Sequence, residues 1–493
     1  MPVSPEVTVV CLAAGEGTRM RSARAKVLHE IGGRTLLGHA IAAGRALDPA
    51  HLVVVVRHQR DSVAAHVADV DPTAVVADQD EVAGTGRALE CGLHALPDDV
   101  DGVVVVTMGD VPLLAAQTLR ELLAVHADEA NAVTVMTAVL PDPTGYGRIL
   151  RDATGAVVEI VEHKDATPQQ RAMGEINSGV YVFDMSLLRS ALSEVGTDNV
   201  QGEKYLTDVV GIARSCGLRV GGYRVADVWQ TEGVNDRVQL ARLGGELNRR
   251  VVERWMHAGV SVVDPATTWV DVTVTLEPDV TLLPGTQLHG ATTVGRGAAI
   301  GPETTLLDVV VGPGATVVRT HGSQARIGAA ASVGPFAYLR PGTELDEAAK
   351  VGTFVETKNS RLGPGAKVPH LSYVGDATIG EGTNIGAGTI TANYDGVSKH
   401  RTTVGRHCRT GSDNVFVAPV EIGDGAVTGA GTVVRSDVPP GALTVSAGQQ
   451  RDIEGWVSRK RAGTPGDRAA REATDRVRAQ SEAPAADNEE RHA

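Results

Sequence analysis

The sequence predicts two folds in tandem: an α/β domain on a Rossmann-like, mostly parallel sheet, then a parallel β-helix of hexapeptide repeats. Three observations carry this prediction. Short β-branched runs alternate with helical patterns through the first half, which argues strands buried on both faces of a parallel sheet. In the second half an aliphatic residue followed by glycine recurs at six-residue intervals, as at Val294-Gly295, Ile300-Gly301, Ile379-Gly380 and Ile385-Gly386. That period belongs neither to an α-helix nor to a flat strand, and it is the period of a parallel β-helix. Finally, 57 glycines with only 3% aromatic residues suit a solenoid of small and aliphatic side chains better than an aromatic-rich sandwich.

A chain of 493 residues exceeds one hydrophobic core, so it divides. The expected parts are an α/β domain at 1–238, a helical linker at 239–259, a β-helix at 260–450 and a flexible tail at 451–493. The net charge of −14 speaks against a nucleic-acid partner, so an anionic ligand must be held by local glycine loops and a few placed cations. Cys11, Cys91, Cys216 and Cys408 are far apart in sequence and form no CxxC pair, which reads as reduced thiols. The N-terminus lacks a basic segment before its apolar run, and no run approaches 18 apolar residues. A cytoplasmic protein without membrane insertion is expected.

In chain order, strands are expected at 7–12, 52–56 and 103–107, with helices near 36–45 and 62–67. Ligands of such sheets gather at the carboxyl ends of the strands. Two features fall there: the loop LAAGEGTRM at 12–20, and Asp110 after the third strand. Gly15 and Gly17 let backbone N–H groups approach a phosphate, the small Ala13 and Ala14 keep the turn tight, and Arg19 and Lys26 bring positive charge. A GxG alone would be an ordinary strand-to-helix turn. The loop lacks the third glycine of a dinucleotide fingerprint, and no GK[ST] P-loop is present. Next, Leu240, Leu243, Leu247, Val251 and Trp255 recur at helical spacing, with Gly259 to end the linker helix. In the β-helix, polar insertions interrupt the rhythm around Arg340, at 354–363, at 369–376 and at 391–396. A packed core has no need of them. Beyond Gly463 the only large aliphatic residue is Val477, so the tail cannot bury enough to fold alone, although 467–480 can form helix.

The motifs follow one another in a specific order. LAAGEGTRM leads to KVLH at 26–29, AGTGRA at 83–88, MGD at 108–110, GYGRI at 145–149, VEHKDAT at 161–167, EINSGVY at 175–181, NVQGEKYLTD at 199–208 and EGVNDRVQL at 232–240. The series resembles sugar-1-phosphate nucleotidyltransferases. Within them it resembles the uridylyltransferase half of the bacterial bifunctional family that makes UDP-N-acetylglucosamine for peptidoglycan, cell-wall biogenesis and cell shape. The resemblance implies Mg²⁺ on Asp110 and Asn235, and charge stabilisation by Arg19 and Lys26. It implies UTP at Leu12, Ala13 and Gly15, uracil at Gln79, Gly84 and Thr85, and the sugar at Gly147, Glu162 and Asn177. Singly, Asp110 reads equally well as a turn residue and Asn235 as a helix cap. Three positions depart from the family pattern: Ala25 for a proline, Met108 for a tyrosine and Arg87 for a histidine.

The second half resembles the acetyltransferase half of the same family, and more broadly the hexapeptide acyltransferases, whose β-helices are left-handed and trimeric. His370 is the side chain among the insertions suited to take a proton near neutral pH. The resemblance implies that it deprotonates glucosamine-1-phosphate for attack on acetyl-CoA, with Glu356 orienting it. Arg340 and Lys358 are implied at the sugar phosphate, and Tyr373, Asn384 and Asn393 at the sugar. Tyr394, Asn393 and the backbone of Ala387, Ser412 and Ala430 are implied at the acetyl-CoA cleft between subunits of a homotrimer. Ala447 stands where the family often has a CoA-contacting arginine. Two other readings fit the same sequence: a related enzyme acting on another sugar-1-phosphate or on dTTP, and a catalytically silent scaffold.

Overall fold

The computed structural model describes residues 6–446, 448 and 450–482, so Ala447 lies outside the described residues. The first domain is a twisted sheet whose main path runs Val220–Arg224, Val133–Val139, Glu175–Asp184, Val103–Met108, Val7–Leu12, His51–Val56, Val75–Asp78. Every neighbouring pair is parallel except those of Glu175–Asp184, which runs antiparallel to both neighbours. The valine runs are buried because helices cover both sheet faces. Val10, Val53, Val104 and Val133 pack to one side, and Val9, Val54, Val105 and Met136 to the other. Among the helices are Leu36–Arg45, capped by the Thr35 side chain, Arg60–Val70 and Thr85–His94.

The second domain stacks two- to four-residue strands into three parallel sheets of seven, ten and nine strands. Ala299 lies opposite Thr281, and Thr316 opposite Ala299, so one coil takes about 18 residues, as the hexapeptide period requires. Most strands place one side chain inward and the next outward. The inward column Leu282, Ile300, Val317, Val333, Val351 and Val368 is fully buried. Buried threonines such as Thr286, Thr292 and Thr304 share this interior and donate their hydroxyls to backbone carbonyls, which satisfies polar groups where water is excluded.

The helix Arg237–His257 joins the domains. Asp236 caps it by accepting from the Gln239 N–H at 2.8 Å, and Gly259 follows its end in a left-handed conformation. Its Leu243 packs with Met20, Ile31 and Leu36 of the first domain, while Val251 and Val252 join the β-helix core. Arg249 and Arg250 are paired with Glu246, Glu253 and Asp227, as expected of a solvated face. Asn248 donates to the Thr268 carbonyl and accepts from the Val270 N–H, which ties the helix to the first coil. In the tail Trp456–Lys460 and Pro465–Glu482 are helical and pack on one another, the second over the stretch 467–480 that the sequence allows as helix. Asp467 joins them by accepting from Ser458, Gly463 and Arg471, a set of polar contacts that apolar composition alone does not reveal.

Candidate active sites

Three strand ends form the wall of a cavity of about 540 Å³. Ala13 N–H donates to the Val55 carbonyl and Gly109 N–H to that of Leu12, so the loops after Val7–Leu12, His51–Val56 and Val103–Met108 are held together. Leu12, Ala13, Gly15, Lys26, Gln79, Gly84, Thr85 and Asp110 all line the cavity. Arg57 and His58, which no motif had marked, line it too, as does Glu203 of the 199–208 motif. The two loop glycines differ in kind. A Cβ on Gly15 would meet nothing within 4 Å, so the space over that backbone is open to a ligand. Gly17 has φ +69° and a Cβ there would stand 2.5 Å from Lys26 Cβ, so this glycine lets Lys26 pack against the loop.

Lys26 Nζ lies 2.5 Å from Asp110 Oδ2 and 3.5 Å from Asn235 Oδ1. One carboxylate oxygen and one amide oxygen therefore face a single positive charge. Asn235 is held by its own N–H donating to Gln239 Oε1, and the Val234 N–H donates to the Asp110 carbonyl. Two hard oxygen donors on rigid loops fit Mg²⁺, which keeps water and takes its other ligands from phosphates. Among the described residues no cluster of three or more His, Cys, Asp or Glu side chains could hold a metal. Arg19 stands exposed on the turn Thr18–Met20 and does not line the cavity.

Gly147, Glu162 and Asn177 gather beside this cavity but do not line it. Asn177 N–H donates to the Gly147 carbonyl, and its side chain donates to Tyr181 and accepts from the Gly179 N–H. A Cβ on Gly147 would approach Asn177 Cβ at 3.5 Å and Glu162 Oε1 at 3.6 Å. Burial raises the Glu162 carboxyl above its ordinary value, against the Thr207 hydroxyl, and Asp165 and Asp208 push it further.

On the β-helix, Tyr338, Glu356 and Tyr373 stand in register on successive coils of the ten-stranded sheet. Glu356 accepts from Arg340 Nη1 at 2.9 Å. It is therefore engaged by Arg340, not by His370 as the sequence reading had it. The reason is geometric: His370 ends a strand of the adjoining seven-stranded sheet, and Leu371, with φ +50°, turns the corner between them. The His370 imidazole is exposed, and the backbone carbonyl of this residue accepts from Ser372 Oγ and the Gly388 N–H. Asp376 is a hub that the sequence reading missed. It accepts from Asn359 at 2.6 Å and Asn393 at 2.5 Å, and Asn393 also reaches the Tyr373 hydroxyl at 3.5 Å. Lys399 was missed too: Lys358 beside it holds its ammonium below the ordinary value. Two neighbouring ammonium groups suit an anion.

Asn384 continues the Lys367–His370 column by bridging Lys367 and Arg409. Ala387, Ser412 and Ala430 stack on successive coils: Asp413 N–H donates to the Ala387 carbonyl and Gly431 N–H to that of Ser412. Among the described residues none of their three own N–H groups donates a hydrogen bond. Tyr394 is exposed on the loop that follows, its hydroxyl donating to the Gly396 carbonyl.

A strand-end cavity of about 540 Å³ lined by an acid and an ammonium, joined to a hexapeptide β-helix with a polar face, defines a two-domain enzyme. One half is a nucleotidyltransferase and the other a left-handed β-helix acyltransferase. Residues 9–171 match the MobA-like NTP transferase domain. A protein of Pseudarthrobacter chlorophenolicus named bifunctional protein GlmU is 60% identical over 483 residues, 98% of each chain. Proteins of the same name from Streptomyces avermitilis and Micrococcus luteus are 61% and 58% identical, covering 94% and 96% of this chain and 96% and 98% of their own. The chain belongs to the GlmU family of bifunctional enzymes.

Proposed function

We propose how this chain divides the two reactions of UDP-N-acetylglucosamine synthesis between its domains. The β-helix transfers acetyl from acetyl-CoA to glucosamine-1-phosphate. The first domain then transfers uridylyl from UTP to N-acetylglucosamine-1-phosphate and releases pyrophosphate. The observation that carries this reading is the Lys26 ammonium facing both Asp110 and Asn235 at the mouth of the strand-end cavity. Asp110 and Asn235 hold Mg²⁺, which supplies charge neutralisation at the phosphates. Lys26 turns to the phosphates, and Arg19, exposed on its turn, approaches the outermost of them. Such transfer needs positioning and charge stabilisation more than a covalent intermediate. The Gln79 side-chain N–H₂ is taken by the Val82 and Gly84 carbonyls, which leaves its oxygen for the N3–H of uracil. Glu162 and Asn177 receive the sugar beside Gly147.

In the β-helix, His370 takes the proton of the 2-amino group as that nitrogen attacks the thioester. Arg340, Lys358 and Lys399 hold the phosphate, with Glu356 fixing Arg340. Tyr373, Asn384 and Asn393 receive the sugar. The unclaimed N–H groups of Ala387, Ser412 and Ala430, with Tyr394, suit acetyl-CoA and the developing oxyanion. A homotrimer completes that cleft. What supports it is an apolar corner beside His370: Phe336, Phe354 and Leu371 are 50%, 58% and 62% exposed, and the two rings stack at 5.4 Å. Four unpaired cysteines, and no helix among the described residues long and apolar enough to cross a membrane, suit a cytoplasmic enzyme.

Pyrophosphate release in a magnesium titration tests the carrying observation. Lys26→Met should lower uridylyl turnover by about 100-fold or more at saturating magnesium, on the scale of losing one charge-stabilising donor. Wild-type turnover in that variant would overturn the assignment.

A further inference from the structure

The base-reading loop and the sugar-side cluster are joined by a chain segment, 199–207, that lies in no strand and in no helix. Its backbone clasps the loop. Gly86 N–H donates to the Lys204 carbonyl at 2.8 Å, and Lys204 N–H to that of Ala83 at 2.9 Å. Leu206 N–H donates to Thr85 Oγ1 at 3.2 Å. The approach is close enough to require glycine at 84, which has φ +118° and where a Cβ would stand 2.3 Å from the Lys204 oxygen. The alternate residues face the sugar-side cluster: Thr207 donates to Glu162 Oε1, and Tyr205 to Asp165. Glu203, just before Lys204, lines the nucleotide cavity.

A run of ion pairs fastens this segment. Arg87 donates to Asp80 Oδ2 from Nε at 3.0 Å and from Nη2 at 2.5 Å, and to Oδ1 at 3.2 Å, and Asp80 accepts from the Val82 N–H inside the base loop. Arg87 Nη1 and Lys204 Nζ both donate to Glu90 Oε2, at 2.7 Å and 2.9 Å. Burial pushes the Glu90 carboxyl up, but the hydrogen bonds from Lys204 and Arg87 outweigh it and hold it below the ordinary value. Glu90 itself lines neither the cavity nor the sugar cluster. Arg87 is one of the three departures from the family pattern noted above.

We infer that Glu90, through Arg87 and Lys204, is a positioning residue that makes the nucleotide and sugar-phosphate sites of the first domain bind cooperatively. Arg87 and Glu90 stand one turn apart on the helix Thr85–His94; Arg87 holds the base loop through Asp80, and Glu90 holds both Arg87 and Lys204 of segment 199–207. Ordering the loop on uracil therefore orders the wall that carries Thr207 against Glu162. The second ligand meets a surface already arranged, which is positive coupling. Coupling of this kind is reciprocal and spans roughly 5- to 150-fold.

The inference rests on the assignment of the two subsites, so the experiment separates them. Full-length protein is titrated with α,β-methylene UTP and magnesium, with and without N-acetylglucosamine-1-phosphate, by calorimetry. Wild type should bind both and show coupling of about 5-fold or more. In Glu90→Gln the coupling should fall below about 2-fold, with both KM values raised together and kcat changed far less. Acetyl transfer, performed by the other domain, should be unchanged and reports intact folding. Lys204→Met, which keeps the Arg87–Glu90 pair, should show the same loss if Glu90→Gln proves unstable. Wild-type protein that binds neither ligand would overturn the subsite assignment. Binding of both ligands with no coupling, or with wild-type coupling in both variants, would overturn the positioning role alone.

Discussion

Lys26 and Gly17 show how one position in a loop determines another. The Lys26 ammonium can face Asp110 and Asn235 only because residue 17 has no side chain and sits at positive φ. Gly17→Ala should cost about 1–3 kcal/mol of stability, from the left-handed backbone and the displaced Lys26 stem. It should lower uridylyl transfer while leaving acetyl transfer intact, as the two assays measured side by side would show. Equal rates with wild type in both would contradict that packing. At this scale the sequence was legible where a motif carries its chemistry in adjacent letters, as with Lys26 and Asp110. It was not legible at Asp376, whose role arises because Asn359 and Asn393 come to it from other coils. Nor was it at Glu356, which is taken by Arg340 across a ladder that sequence spacing does not display.

Among the elements, the helix Leu36–Arg45 carries the clearest pH signal. Its His39 is buried, which lowers its pKa to about 4, against a hydrogen bond to the Ile31 carbonyl. The unfolded chain therefore binds a proton between about pH 6.5 and 4 that the folded helix refuses. His39 contributes its full stabilisation above pH 6.5 and loses it as pH falls toward 4, up to about 3 kcal/mol. Urea unfolding of the first domain at pH 7.5 and 5 should show the loss, and His39→Gln should reduce it. Identical pH dependence in both proteins would contradict the assignment. The strands were legible because a run such as Val53–Val54–Val55–Val56 is buried whole and has no polar alternate. The antiparallel direction of Glu175–Asp184 was not, because it depends on which edge the preceding hairpin reaches.

For the whole molecule, the linker helix and the hairpin Glu30–Thr35 set the two domains against each other. Gly32 accepts from the Val272 N–H of the first coil, and Leu243 and Val252 of one helix belong to the two different cores. Both chemistries are nevertheless built from local parts. On the proposed assignment the uridylyl site uses strand ends of the α/β sheet, and the acetyl site uses breaks in the hexapeptide rhythm. Those breaks were legible because a repeat makes any departure from it visible. The helix at 465–482 was legible in part, as 467–480, but its packing on Trp456–Lys460 was not, because one acid, Asp467, organises it rather than a hydrophobic pattern. Two independent centres on one chain is the central claim, and a paired assay tests it most directly. One reaction holds glucosamine-1-phosphate and acetyl-CoA and reads free thiol. The other holds N-acetylglucosamine-1-phosphate, UTP and magnesium and reads pyrophosphate. His370→Ala should abolish the first signal and spare the second, and Asp110→Ala should do the reverse. A variant that silences both reactions while still folded, or a wild type silent in both, would contradict the account.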